Sequence, residues 1–299
     1  MKKLLSKIFL SLCYRDFWNF LPDKTYIKLL YRAKMGKKIN LDDPQTFNEK
    51  MQWLKLYDRR DIYTTMVDKY EAKKYVANII GEEHIIPTIA VYDKFDDIDF
   101  DSLPKQFVIK CTHDSGGLVI CKDKNKLDLK AARKKINKCL KHNFYYRGRE
   151  WPYKNVKPRI IIEKFMSLGG KKGVIDYKFQ MMNGKLKYCY VCTDRDKGHV
   201  KFTHYDNNKN LMDLIQSGYE NDPVKGKLPK TYNEMLKYAE ILSKDTPSIR
   251  VDFYDIDGKI YFGELTFYDS AGFLEFEPRE WDYKFGQMLD ISQVKKNED

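Results

Sequence analysis

No run in this 299-residue chain is long and apolar enough to span a bilayer. The nearest candidate, Ile8 to Tyr14 behind a basic start, is too short, and no small-residue cleavage site follows it. Residues 1–21 are therefore expected to form a helix packed on the domain. The alternative is an interfacial anchor, with Lys2, Lys3 and Lys7 among lipid headgroups on the inner face of the membrane. Internal repeats and low-complexity linkers are absent. So is the GxxxxGK[ST] pattern, which removes a Walker-type phosphate loop. RNP, zinc-finger and helix-turn-helix patterns are missing too, and no nucleic-acid partner is expected. Cysteine is sparse: Cys13, Cys111, Cys121, Cys139, Cys189 and Cys192 are scattered, which predicts free thiols in a reducing, cytoplasmic compartment. Cys189 and Cys192 are spaced as CxxC, but they sit in an apolar strand-like run with no second pair, which argues against zinc.

What is present is the composition of a globular domain, 42% hydrophobic and 33% charged. An excess of 55 Lys+Arg over 43 Asp+Glu gives +12 and points to an anionic partner, without choosing which. The most informative stretch is Ser248 to Gly272, two alternating segments joined at Asp257-Gly258, which reads as a β-hairpin. A two-residue loop there would put Asp252 and Glu264 on opposite faces. A three-residue loop of Ile256, Asp257 and Gly258, with Gly258 left-handed, pairs Asp255 with Lys259. It sets Arg250 opposite Glu264 and Asp252 opposite Phe262, all on one face. The longer loop is predicted, because the shorter one buries a carboxylate alone at a cost of several kcal/mol. Asp252, Glu264 and Thr266 then form a set of oxygen ligands of the kind Mg2+ takes alongside phosphates. A solvated strand face is the competing reading.

Elsewhere, Thr46 and Glu49 fit a capping box for a helix from Phe47 to Leu56, and a second helix is expected from Met66 to Ile80, closed by Gly81. Ile85 to Val91 reads as a strand. Phe107 to Lys110 and Leu118 to Cys121 read as a hairpin around Ser115-Gly116-Gly117, a small-residue loop whose N–H groups can approach phosphate beside Lys110. A plain Gly-Gly turn is the competing reading. Leu127 to His142 is helical, with Asp128 as N-cap. Arg159 to Met166 is a buried strand followed by a Gly169-Gly170 loop. Asp176 to Met182 turns at Asn183-Gly184 into Lys185 to Val191. A last helix, Tyr232 to Ser243, is preceded by a second capping box of Thr231 and Glu234.

The order of these pieces resembles the ATP-grasp superfamily. Thr46-Phe47-Asn48-Glu49-Lys50, Asp68-Lys69-Tyr70, Arg149-Glu150-Trp151-Pro152-Tyr153, Arg250-Val251-Asp252-Phe253-Tyr254 and Phe262-Gly263-Glu264-Leu265-Thr266-Phe267 are more closely similar to its TupA-like family. That family is associated with teichuronopeptide, capsule and other surface-polysaccharide synthesis. The resemblance implies an α+β ATP-grasp fold holding a nucleotide between two mostly antiparallel subdomains. It divides the chain into an N-terminal helical segment (1–60), an α/β segment (61–105), a small subdomain with the Gly-rich loop (106–165) and a C-terminal subdomain with the metal site (166–299). It implies that Lys110 and Lys69 meet ATP phosphates under Ser115, Gly116 and Gly117. Glu163, with the backbone of Lys164, Phe165 and Met166, would hold adenine, and Asp176 the ribose. Asp252 and Glu264 would hold Mg2+, with Thr266 where many ATP-grasp enzymes have Asn. Arg250 and Lys178 would act on the transferred phosphoryl, and Tyr268, Ser270 and Gly272 would line the acceptor site. The implied reaction is ATP-dependent ligation of an amino acid or amine to a carboxylated sugar through an acylphosphate. The alternative is a glycosyltransferase using a nucleotide sugar, for which Asp255-Ile256-Asp257 is the formal DxD.

Overall fold

The computed structural model describes residues 2–13, 17–168, 174–195 and 198–296. The Gly169-Gly170 loop lies outside the described residues. The order of elements is α1 (Lys2–Cys13), α2 (Asp23–Met35), α3 (Phe47–Tyr57), α4 (Ile62–Val67), α5 (Glu71–Ile80), β1 (Thr88–Tyr92), β2 (Phe107–Cys111), β3 (Leu118–Cys121), α6 (Leu129–Leu140), α7 (Tyr145–Gly148), β4 (Ile160–Lys164), β5 (Asp176–Met182), β6 (Lys185–Thr193), β7 (Lys201–Asp206), β8 (Ile215–Gln216), α8 (Tyr232–Ser243), β9 (Ser248–Ile256), β10 (Lys259–Thr266), β11 (Phe276–Glu277) and α9 (Glu280–Met288). Among the described residues no helix is long and apolar enough to cross a membrane.

Two antiparallel sheets carry the architecture. The smaller runs β1-β4-β2-β3 and the larger β10-β9-β5-β6-β7. Strand β4 is buried on both faces at Ile160, Ile161 and Ile162. Helix α6 closes the small sheet's core with Ala132 and Ile136 against Phe107, Ile109 and Cys111. Helix α8 covers the large sheet, packing Tyr232 on Phe179 at 5.4 Å. At the N-terminus, Phe9, Leu10 and Cys13 of α1 pack with Tyr26 and Leu30 of α2. All six cysteines are free, and Cys189 and Cys192 lie buried in β6.

The Thr46/Glu49 capping box forms in both directions. The Asp128 N-cap accepts from Ala131 N at 2.8 Å. Three local expectations are corrected. The helix expected from Met66 to Ile80 is two helices, because Asp68 turns its carboxylate onto the N–H groups of Tyr70 and Glu71 and competes with helix continuation. The Thr231/Glu234 capping box does not form: Thr231 Oγ1 donates instead to Asp255 Oδ2 at 2.5 Å, and Glu234 accepts from Tyr238.

The third correction concerns the β9–β10 hairpin, whose loop has two residues. Asp257 (φ 55°) and Gly258 (φ 84°) both adopt the left-handed conformation that a primed turn requires, and Lys259 pairs with Ile256. The two carboxylates nevertheless share a face, because a bulge at Gly263 shifts the register between Phe262 and Glu264. Asp252 therefore pairs with Glu264, and Arg250 with Thr266. A side chain at Gly263 would bring its Cβ to 3.0 Å from Asp252 O and 3.2 Å from the Tyr254 ring, so the bulge is tightly packed.

Candidate active site

A cleft of about 350 Å³ opens between the two sheets, lined from both sides. On the small-sheet side, strand alternation in β2 and β4 brings Lys110 and Glu163 together, paired at 2.6 Å. Lys73 of α5 takes the other Glu163 oxygen. Burial alone would raise the Glu163 carboxyl, but Lys110 and Lys73 outweigh it and hold it below the usual range. Burial pushes the Lys73 ammonium down, against the pull of Glu163. Lys69 completes this wall, donating to Asp114 O.

The loop after β2 is held from within. Gly117 N–H donates to both Asp114 oxygens, at 3.0 and 3.1 Å. A Cβ on Gly117 would meet Cys111 Sγ at 2.5 Å, so only glycine fits. Ser115 and Gly117 line the cleft; Gly116 does not.

The large-sheet wall is a buried ionic network. Arg250 forks onto Asp252 (2.7 and 2.8 Å) and reaches Glu264 at 3.0 Å and Asp269 at 2.8 Å. Lys178, opposite Asp252 across the β5–β9 ladder, bonds the same carboxylate. Burial opposes every charge here, yet Arg250 and then Lys178 hold Asp252 down to about 2. Asp269 is likewise lowered, against burial, by Arg250 and by a hydrogen bond from Tyr190 at 2.8 Å. Asp176, two residues before Lys178 on the same face, pairs with Arg195 at 2.6 Å.

The turn after β10 has Ser270, Ala271 and Gly272 consecutively at φ 50°, 55° and 66°. Left-handed non-glycine residues cost on the order of 1–3 kcal/mol each and concentrate at functional sites. Here α3 holds them: Gln52 Nε2 donates to Gly272 O at 2.7 Å and Lys55 Nζ to Ala271 O at 2.7 Å.

The cleft thus brings together Lys69, Lys110, Ser115, Gly117, Glu163, Asp176, Lys178, Arg250, Asp252, Glu264 and Ser270. Thr266 bonds Glu264 and Arg250 but, with Tyr268, faces the adjoining cavity. Two placements differ from expectation. Lys164, Phe165 and Met166 do not line the cleft, and the Lys164 N–H is bonded to Pro87 O. The Glu163 carboxylate is paired with Lys73 and Lys110. Gly272 packs on Gln52 and Met51 and lines neither cavity. The Asp255-Ile256-Asp257 triplet is the end of β9 and the first turn residue, with Asp255 accepting from Gly258 N and Thr231 Oγ1.

Sequence reasoning missed Lys73, Asp114, Arg195 and Asp269. Lys73 had a signal, standing four residues after Lys69. Asp269 had one too, between two residues already chosen.

The chain matches the model of the family described as TupA-like ATPgrasp over residues 49–290. It belongs to the TupA-like ATP-grasp family. Helices α1 and α2 of this ATP-grasp protein precede the matched region. Comparison with curated proteins finds no match. Among solved structures it is similar to D-alanine–D-alanine ligase from Bacillus anthracis complexed with ATP (18% identity, TM-score 0.38, 68% of this chain and 53% of that one). It is also similar to D-alanine–D-alanine ligase from Helicobacter pylori (17%, TM-score 0.41, 82% and 68%). A third is N5-carboxyaminoimidazole synthetase from Staphylococcus aureus complexed with ADP (13%, TM-score 0.33, 67% and 43%). The chain spans about half the length of the Bacillus anthracis ligase.

The donors of this ATP-grasp site fit a hard divalent cation in type. Asp252 and Glu264 are paired oxygen donors at the end of a rigid ribbon, and the Glu264 side chain is 44% exposed. Among the described residues no group of three or more His, Cys, Asp or Glu could hold a metal ion by itself.

Proposed function

We propose that this protein is an ATP-dependent carboxylate–amine ligase that works through an acylphosphate, joining an amino acid or amine to a carboxylated sugar of a surface polysaccharide or its precursor. One observation carries the reading: a wall of lysines, Lys69, Lys73 and Lys110, faces a wall of carboxylates anchored on Arg250 across a single cleft. A triphosphate needs both, cations for its oxygens and carboxylates for the metal ion that travels with it.

Lys110 and Lys69 bind the α- and β-phosphates, and Ser115 to Gly117 cover them and exclude water. Glu163 acts on Lys110 and Lys73, holding their ammonium groups apart at fixed positions. Asp176 takes the ribose hydroxyls. Arg250 and Lys178 neutralise charge on the transferred phosphoryl, and their pairing with Asp252 keeps them preorganised. Asp252 and Glu264 would hold Mg2+, which supplies charge neutralisation at the phosphate oxygens when bound. We place the reaction in the cytoplasm, where ATP is supplied and six free thiols persist.

Phosphate release from ATP and Mg2+, assayed with uronic acid derivatives paired with amino acids or amines, tests this reading. Release with at least one pair is expected. Thermal stabilisation by UDP-sugars and none by ATP would contradict it.

A further inference from the structure

The first 40 residues hold ten Lys and Arg against two Asp, so they carry +8 of the chain's +12. One of those acids, Asp23, is turned inward and taken by Arg59 at 2.7 Å and Arg149 at 3.3 Å. Lys24, Lys28 and Arg32 stand at intervals of four along one face of α2, exposed and without an ion pair among the described residues. Lys7 of α1 is exposed too.

The same region exposes large apolar side chains. In the turn between α1 and α2, Phe17 is 55% and Phe20 72% exposed, and both rings contact Trp18, with centroids at 4.7 and 6.2 Å. Trp18 stacks in turn on Phe9 of α1 at 5.4 Å, which ties the cluster to the helix pair. Ile8 of α1 and Leu29 of α2, next in sequence to Lys7 and Lys28, are exposed as well. A single exposed leucine needs no explanation, but an aromatic cluster accompanied by aliphatic residues and unpaired cations does.

Apolar groups set among cations are complementary to anionic groups over hydrocarbon, which is the layering of a bilayer with acidic headgroups. A nucleic acid would meet the charge but leave Ile8 and Leu29 in water. A second copy of this chain would bring +8 against +8.

We propose that the outer face of the α1–α2 pair and its turn docks on an anionic lipid surface. Phe17 and Phe20 enter the boundary between headgroups and acyl chains, and Lys7, Lys24, Lys28 and Arg32 meet the acidic headgroups. The contact is peripheral, because no helix among the described residues is long and apolar enough to cross a membrane. The inner face of the same pair is committed to the interior: Leu10 and Cys13 of α1 with Leu30 and Lys34 of α2 line a cavity of about 460 Å³ that adjoins the cleft and shares Arg250 and Glu264 with it. Docking therefore leaves a single layer of helix, about 10 Å thick, between the membrane surface and that cavity. The proposal stands apart from the ligase reading, since none of the docking residues lines the nucleotide cleft.

Vesicle flotation of the full chain tests this, with mixed phosphatidylglycerol–phosphatidylcholine vesicles beside vesicles of phosphatidylcholine alone. Binding to the mixed vesicles is expected, at least about tenfold weaker on phosphatidylcholine and weakened again by high salt. Phe17→Ser with Phe20→Ser should lower affinity for the mixed vesicles at least about tenfold, and so should Lys24→Glu with Lys28→Glu. Both variants should melt as the parent does, because the positions are exposed. The proposal is overturned if the parent does not bind mixed vesicles, if it binds both vesicle types equally, or if either variant binds as the parent does. A dimer in sedimentation that Phe17→Ser with Phe20→Ser dissolves would assign the face to a second copy, and tighter binding of single-stranded RNA than of vesicles would assign it to nucleic acid. Either result overturns the proposal.

Discussion

The two walls of the cleft solve the same electrostatic problem in opposite ways. On the small sheet one carboxylate, Glu163, is shared by Lys73 and Lys110, with Lys69 close by, so cations are in excess. On the large sheet Arg250 and Lys178 serve Asp252, Glu264 and Asp269, so carboxylates are in excess. The minority charge on each wall is the one most deeply engaged. Glu163 and Arg250 act as anchors, and the groups of opposite sign are gathered around them. The proposed function puts a polyanion at the first wall and a cation at the second.

Removing an anchor partner should break this contrast most strongly. Asp252→Ala leaves Arg250 and Lys178, each with only 7% of its side chain exposed, without their main counter-charge. A stability loss of about 3–5 kcal/mol in denaturant melts is expected, with turnover down at least about 100-fold. Asp252→Asn, which keeps the shape, should lose turnover with a smaller loss of stability.

The large-sheet wall should also be the acid-sensitive one at mild pH. His204 of β7 is buried beside Tyr190, which bonds Asp269, and burial lowers its pKa from 6.5 to about 4. Between those values the unfolded chain binds a proton that the folded chain refuses, so stability falls as pH drops from 6.5 towards 4. The slope is at most about 1.4 kcal/mol per pH unit, and His204→Gln should flatten it. The small-sheet wall should respond only in stronger acid. The Glu163 carboxyl is lowered below 4.5, so its contribution is complete above that pH and is lost as pH falls through its folded value.

Lys110→Met should be milder than the loss of Asp252, because Lys73 still neutralises Glu163. About 1–3 kcal/mol of stability and about tenfold or more in ATP affinity are expected, measured by melts and by nucleotide titration. Glu264→Gln sharpens the comparison with the smallest structural effect. Its half-exposed side chain should cost less than about 1 kcal/mol in melts, while the Mg2+ dependence of ATP binding weakens.

Much of this arrangement was legible from residue types and local spacing. The Thr46/Glu49 box, the turn at Asn183-Gly184 and the hairpin around Gly117 are fixed by chemistry within a few residues, and sequence displays that directly. The face shared by Asp252 and Glu264 was also foreseen, but for the wrong reason. The shift was placed in the loop, whereas it lies in the strand at Gly263, where an isolated glycine in an alternating run is itself a bulge signal. Lys73 and Asp114 escaped because their roles depend on which elements meet across the cleft. The two lysines paired with Glu163 escaped for the same cause: they come from α5 and β2, and no local pattern joins them.

The most direct test of the central claim is calorimetric titration of ATP into the full chain with and without Mg2+. If lysines on one wall and carboxylates on the other divide a triphosphate and its metal between them, Mg2+ will tighten ATP binding, and Asp252→Asn will abolish that gain while leaving metal-free binding in place. ATP affinity that is the same with and without Mg2+ would contradict the account.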